Sequence, residues 1–535
     1  MYTFPIFSKS FLSSLDQETL LRFVEYKKKF DKGEELPPES KELLGRFFPE
    51  LLDFKDYIFK AVVPAMLTNI NGGAKLTLPL IDKEILDKQD AIPYFLWGMF
   101  YDSWKPTPEE GTTVFFTGFQ NGDQKSDVPT IRGENNEKKK IYYSALTPDL
   151  FPKYEDKVVG FWEELLDNRN ANKPLMGLYL DLYFYLYWDL HLGVERGDII
   201  QDVLDIGRSF MNVIGYLNPL ESIVYTSYMD VREKRQSLND WIKDNISSGS
   251  GEEEKKTFVH YWLKNSEQDD NSKYFNQDDI IFECFHNFLA FSQWGNTIYN
   301  IIERFINNEA NIKTKFETMM NAGNSEEPDD KGFSPLDYFV MELFRWISPN
   351  SGSISNIKDN KIFSIPGIYE GINLYNYHTT PHEATSDYEI HWTDPGDFNP
   401  DRYKEENVPT SDEITEEKCK QIGFVQCPFH KADFNVDDGR NAQVTNSGFG
   451  TVYNVTEGKT YPVIDYAGYA PFGFGYRRCP GELFTVFVIK EFLKKVWNDG
   501  NQIQFKELDE PSGGYEQLPL GPRAVLPDKY GFETY

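Results

Sequence analysis

Apolar residues recur every three or four positions over much of the chain. Leu15, Leu20, Leu21, Phe23 and Val24 mark one helical face within 13–31, and 49–70 repeats the spacing. Asn69-Ile70-Asn71-Gly72-Gly73 reads as a turn, followed by the short apolar run 76–81. The β-branched and aromatic stretch 111–118 (GTTVFFTG) suits a strand or a loop beside a pocket. Residues 121–140 are polar and end in Lys138, Lys139 and Lys140, as a solvated helix start would. From 154 to 244 the pattern is mostly helical. Within it, 174–194 (PLMGLYLDLYFYLYWDLHLGV) is apolar on nearly every side, which predicts a buried helix. Asp181 and Asp189 argue against a membrane span there. The acidic, Gly/Ser-rich 245–256 (NISSGSGEEEKK) predicts an exposed loop.

The run 278–308 predicts one long, mostly apolar helix through the middle of a domain, opened by Asp278 and Asp279. His286 on that helix reads as a satisfied core histidine. Ser334 suits a helix cap and Pro335 a first helical residue. In the same segment Glu342 and Arg345 lie at i and i+3, where they can pair on one face. A last apolar helix follows Cys479, from Leu483 to beyond Phe492.

Composition narrows the picture. A chain of 535 residues that is 40% hydrophobic can bury a large core, and 42 Phe with 32 Tyr suit an aromatic-lined interior for a flat cofactor or apolar ligand. A net charge of −30 argues against nucleic acid and anionic membrane as general partners. Cys284, Cys419, Cys427 and Cys479 are widely scattered, so they read as reduced thiols in an intracellular compartment. The N-terminus has no long apolar run, and Asp16 and Glu18 come early. The expectation is therefore a soluble, cytoplasmic protein without a signal peptide or spanning helix.

Candidate chemistry centres on 471–482, PFGFGYRRCPGE. Gly473 and Gly475 let a loop fold back and let its backbone approach a flat object. Cys479 stands where that loop turns into a helix, facing unpaired N–H groups that favour a thiolate. Such a sulfur suits a soft, redox-active metal.

These residues resemble the haem-binding loop of cytochromes P450, F-G-x-G-x-R-x-C-x-G, with every fixed position filled from Phe472 to Gly481. The resemblance implies a mainly α fold with small β-sheets, one P450-like domain over 1–535, and haem b (iron protoporphyrin IX). It implies Cys479 as the axial iron ligand, Arg477 against a propionate, Phe472 beside the sulfur, and Gly473 and Gly481 shaping the loop.

Two further segments carry the likeness. Glu342 and Arg345 resemble the family's E-x-x-R helix, and 397–403 (DFNPDRY) resembles its F-x-P-x-R segment. Arg402 would complete a structural triad with Glu342 and Arg345. His391 lies in a stretch similar to H-R-D-P with one extra residue, either touching a propionate or on a surface loop. Lys138–Lys140 is the other cationic candidate for the propionates. Arg402 and Cys479 are far apart for the family, so roughly 404–462 reads as an insertion. Cys419, Cys427 and His430 within it are too loosely spaced to predict a metal site.

The helix over 278–308 departs from the family. Where an acid–Thr pair relays protons to dioxygen, this chain has Ser292, Gln293, Asn296 and Thr297, and Asn cannot deliver a proton at neutral pH. The segment 291–296 faintly resembles that of the allene oxide synthase and hydroperoxide lyase group.

The resemblance therefore implies a monooxygenase-type enzyme for a small apolar or amphipathic substrate, served by a reductase or ferredoxin docking at the Cys479 face. Arg477, Arg478, Lys490, Lys494 and Lys495 are candidates for that dock. The alternative is a reductase-independent enzyme of fatty-acid hydroperoxides, or a peroxygenase. A third class is a haem protein that senses or sequesters without turnover.

Overall fold

The computed structural model describes residues 7, 9–63, 66–67, 74–76, 89–90, 141–218, 220–247, 256–268, 272, 275–329, 333–347, 353–365, 369–380, 394–403, 451–454, 459–462, 471–472, 479–497 and 503–534. The expectations for 69–73, 111–118 and 121–140, including Lys138–Lys140, lie outside these residues. So do those for most of 76–81 and 248–255, and for Cys419, Cys427 and His430.

Helix α1 (Gln17–Asp31) forms where the spacing predicts it, and the Asp16 carboxylate caps it by accepting from the Thr19 N–H at 2.8 Å. Helix α2 (Glu39–Phe47) follows. The helix predicted over 49–70 is broken instead into a 3-10 turn at Pro49–Leu51 and a wide turn at Ile58–Val62. Phe54, between them, leaves helical geometry at φ −111°, ψ 53°.

The predicted helices of the middle of the chain are α3 (Phe151–Leu165), α4 (Met176–Leu192), α5 (Gln201–Tyr216) and α6 (Ser222–Asn245), and a further helix, α7 (Phe258–Ser266), follows them. As expected, α4 is buried; it stops at Gly193, whose φ of 64° ends helical geometry without a Cβ penalty. Its two aspartates reach the surface, where Asp181 pairs with Arg208 at 3.0 Å and Asp189 with Lys157 at 2.7 Å.

The single helix expected over 278–308 is two: α8 (Gln277–Phe291) and α9 (Gln293–Asn307). Asn276, not Asp278, caps the start, in a reciprocal box with Asp279. The break is one residue deep. Ser292 keeps φ −57°, ψ −23°, and its hydroxyl donates to the Leu289 carbonyl at 2.8 Å.

Helices α10 (Ile312–Asn321), α11 (Pro335–Trp346) and α12 (Glu482–Val496) complete the set used below. A bundle of α3, α4, α8, α9 and α12 forms the centre. The Trp162 indole donates to the Val488 carbonyl at 3.2 Å and packs on Phe492 at 5.0 Å. Phe161 meets Tyr179 at 5.8 Å, Tyr187 stacks on Phe288 at 4.6 Å, and Trp294 reaches Phe484 at 5.9 Å. Helices α5 and α6 form a hairpin whose Phe210 packs on Phe285 and Phe288.

The β-structure is small, as expected. Strands β1 (Ala74–Leu76), β2 (Gln89–Asp90), β3 (Ser353–Ile365) and β4 (Tyr369–Thr380) make one sheet, ordered β1-β4-β3-β2. Its β1–β4 pair is parallel and the others antiparallel. Strands β5 (Thr451–Asn454) and β6 (Lys459–Pro462) pair inside the region read as an insertion. After α12, β7 (Ile503–Glu507) pairs with β10 (Tyr530–Thr534), and β8 (Gln517–Gly521) with β9 (Ala524–Pro527). This end is tied to α4. The Asp528 carboxylate accepts from the N–H groups of Met176 and Gly177, both at 2.9 Å, and so caps that helix. Among the described residues, no helix is long and apolar enough to cross a membrane.

Candidate functional site

Cys479 lies between a turn at Pro471-Phe472 and the first turn of α12. Its N–H donates to the Phe472 carbonyl at 3.0 Å, which closes the loop on itself. The Gly481 N–H, at the head of α12, donates to Cys479 Sγ at 3.3 Å. The sulfur-bearing residue is half-buried, and no disulfide joins it to another described residue. Phe472 is buried and meets Phe344 of α11 edge-on at 5.0 Å. Helix α11 therefore underlies the Cys loop.

That helix carries a buried ion pair. Arg345 Nε and Nη2 donate to the two oxygens of Glu342 at 2.9 and 2.8 Å, with both side chains fully enclosed. Arg345 also donates to the Asp397 carbonyl at 3.2 Å, and Glu342 accepts from the Asn399 N–H at 2.9 Å. The segment 397–403 is thus pinned to α11 where the sequence places its third member. The Arg402 side chain lies outside the described residues, as do Gly473, Arg477 and His391.

On α8 and α9 the candidates separate by face. A Cβ built on Gly521 would lie 3.2 Å from Asn296 Cβ, 3.4 Å from the Ser292 carbonyl and 3.6 Å from Gln293 Cα. This strip therefore packs under the tip of the β8–β9 hairpin. Asn296 Oδ1 accepts from Asn300 at 2.9 Å, and the buried Thr297 hydroxyl donates to the Gln293 carbonyl at 3.0 Å. The opposite side faces α12: Trp294 Nε1 donates to Thr485 Oγ1 at 3.2 Å, and Phe291 packs on Trp294 at 4.7 Å.

One cluster escapes sequence reading. Tyr142 O–H donates to Asn287 Oδ1 at 2.8 Å, and the Asn287 amide donates to His191 Nε2 at 3.0 Å. His191 Nδ1–H in turn donates to the Tyr187 carbonyl at 2.8 Å. Burial pushes the His191 pKa down to about 3, so its ring is neutral. Burial, then the charges of Glu283 and Cys479, hold the Tyr142 phenol well above its usual range. Tyr142 is therefore within electrostatic reach of the candidate sulfur. Nearby, His286 is buried against Glu283 at 2.9 Å, as a core histidine should be. The signal for this cluster was polar residues on otherwise apolar helices, each of which needs a buried partner.

The lysines expected to form a dock are committed elsewhere. Lys490 pairs with Asp337 at 2.7 Å, Lys494 with Glu491 at 2.6 Å and Glu326 at 3.0 Å, and Lys495 with Glu163 at 3.3 Å. Each is neutralised by its own chain. Arg477 and Arg478 lie outside the described residues.

No family model and no curated protein matches the sequence. Solved structures do. A zebrafish cytochrome P450 solved with abiraterone matches with a TM-score of 0.50 at 11% identity, over 89% of this chain and 93% of that one. The cytochrome P450 CYP102L1 matches at 0.48 and 11% identity, over 84% and 88%. Cyanobacterial CYP120A1 with bound retinoic acid matches at 0.46 and 13% identity, over 74% and 78%. On the first of these the chain has the cytochrome P450 fold: mainly α, with small β-sheets. At such identities the likeness speaks for the fold, and chemistry must be read from the site.

Proposed function

We propose that the protein is a haem-thiolate oxidoreductase of the P450 kind, with Cys479 as the axial ligand of haem b. The observation that carries this reading is the Gly481 N–H aimed at Cys479 Sγ at 3.3 Å, at the head of the last long helix of this fold. The donor set fits the group: one half-buried sulfur with a backbone donor and an apolar aromatic neighbour. When bound, the haem would supply redox chemistry at iron, its electron density raised by the thiolate. Cys479 and Phe472 would hold it from one side, with Gly473, Gly481, Arg477 and His391 as the remaining candidates. Glu342, Arg345 and Arg402 would brace that side without touching substrate. The aromatic interior suits a small apolar or amphipathic substrate.

Two experiments test this. The reduced protein should give the carbon monoxide difference spectrum of thiolate-ligated haem, and Cys479→Ser should abolish it. An unchanged spectrum in that variant would sink the proposal.

Within this class we take monooxygenase-type oxidation as the first reading. Peroxide-driven or hydroperoxide-rearranging chemistry is the second, and specific contacts favour it. Asn296 is held by Asn300 and Thr297 by the Gln293 carbonyl, so neither is arranged as an acid–alcohol relay. The lysines near the Cys loop are paired internally, which weakens the case for a reductase dock. Incubation with a fatty-acid hydroperoxide, without reductase or NADPH, separates the two: turnover supports the second reading, and a strict need for reductase supports the first.

A further inference from the structure

From the helix that follows Cys479 a line of rings leads to the surface: Phe484 meets Phe258 at 5.4 Å, and Phe258 meets Trp262 at 6.1 Å. Tyr142 stacks on Trp262 with centroids 5.0 Å apart, and the Trp262 indole donates to the Tyr142 carbonyl at 2.8 Å. Trp262 meets the His191 ring at 5.9 Å, and His191 stacks on Tyr187 at 4.1 Å. Tyr187 meets Trp188 at 5.0 Å, and Trp188 meets Trp241 of α6 at 4.9 Å. Trp262, His191, Tyr187 and Trp188 are essentially fully buried, whereas Trp241 is partly exposed.

Packing alone does not explain these residue types. The Trp188 N–H is buried with no acceptor among the described residues. A Phe would fill much of that space without stranding a donor, so Trp there costs stability that Phe would not. What Trp offers over Phe is ease of one-electron oxidation.

We propose that this line of rings is a conduit that carries oxidising equivalents from the Cys479 site to Trp241 when a peroxide is reduced there without oxidation of a substrate. The inference rests on the haem-thiolate reading above. Reduction of a hydroperoxide breaks its O–O bond and consumes two electrons and two protons, giving an alcohol and water. The electrons leave Trp241 one at a time and pass inward through Trp188 and Trp262, crossing the stacked Tyr187 and His191 rings between them. A thiol in solution restores Trp241. Over the cycle one hydroperoxide and two thiols become an alcohol, a water and a disulfide.

The surroundings keep the electron vacancy moving. Tyr187 O–H donates to the Cys284 carbonyl and Tyr142 O–H to the Asn287 amide oxygen, and neither acceptor is a base. His191, held neutral by burial, does not take a proton at physiological pH. With no base to take its proton, neither tyrosine is itself oxidised, so the vacancy stays on the tryptophans. Among the described residues the Trp188 N–H has no acceptor to take its proton. The vacancy settles at Trp241, where solvent reaches the ring.

The test uses the full chain loaded with haem, treated with hydrogen peroxide in the absence of substrate and thiol. Peptide mass spectrometry should find tryptophan oxidation concentrated at Trp241, and freeze-quenched electron paramagnetic resonance should show an organic radical. Trp188→Phe should lower oxidation at Trp241 several-fold and speed haem bleaching. Trp241→Phe, at a partly exposed position, should also speed bleaching while leaving the carbon monoxide spectrum intact. Equal oxidation of Trp241 in parent and Trp188→Phe, or in the Cys479→Ser variant, would overturn the conduit. An intact thiolate spectrum in the parent and in Trp188→Phe assigns that failure to the conduit alone. Absence of the thiolate spectrum from the parent would overturn the haem reading and the conduit with it.

Discussion

Gly481 gives its backbone N–H to Cys479 Sγ at 3.3 Å, and a Cβ added to Gly481 would sit 3.7 Å from the same sulfur. The second distance is ordinary contact, and Gly481 has φ −91°, which any residue adopts. The donor is what the sulfur uses, and Ala has the same donor. Gly481→Ala should therefore keep the thiolate spectrum and lose no more than about 1 kcal/mol of stability, as an N-cap change does. Spectroscopy and denaturant unfolding check both. Loss of haem binding in this variant would mean that the loop needs the space and not only the N–H.

The Glu342–Arg345 pair lies fully enclosed on α11, with Asp397 and Asn399 as backbone partners. Removing one charge leaves the other enclosed without its bidentate counter-charge. Arg345→Met or Glu342→Gln should each cost about 3–5 kcal/mol, read as a drop in denaturation midpoint. A loss below about 1 kcal/mol would show that water reaches the pair.

His191 sets a pH dependence. Its folded pKa, about 3, lies below the ordinary value of 6.5 because burial penalises the charged ring. The unfolded chain therefore binds a proton that the folded chain does not, and stability falls as pH drops from about 6.5 toward 3. The slope from this one group is about 1.4 kcal/mol per pH unit inside that window. Comparing pH-dependent unfolding of the parent with His191→Gln isolates it: the variant should show a shallower acid limb. Parallel limbs would count against a neutral, sequestered ring.

Gly295 marks a close approach. A Cβ there would lie 2.8 Å from the Leu520 carbonyl and 3.0 Å from Tyr179. Because the first obstacle is backbone, relief requires β8 to move away from α9. Gly295→Ala should destabilise by about 1–3 kcal/mol and loosen the hairpin tip over Ser292 and Asn296. Thermal unfolding and amide exchange of 517–524 would measure this, and unchanged protection there would refute the packing described.

Local physics made much of the fold readable. The buried helix 174–194, the Ser334 cap with Pro335, and the Glu342–Arg345 pairing each depend on residues within a few positions of one another. Helical periodicity, capping and i,i+3 contacts are written at that range. The place of Cys479 just ahead of the last helix was equally plain, since the apolar run begins directly after it. The break at Ser292 was not, because apolar periodicity runs through it.

What only the folded chain decided was which distant groups meet. Tyr142 bonds Asn287 across 145 positions, and Asn287 bonds His191 across 96. Lys490 finds Asp337 across 153, so a lysine expected at a docking surface pairs within its own chain. Charges and amides look alike along a sequence whether they end exposed or enclosed. Their partners are chosen by helix packing, where the cost of burying a polar group unpaired selects one arrangement from many.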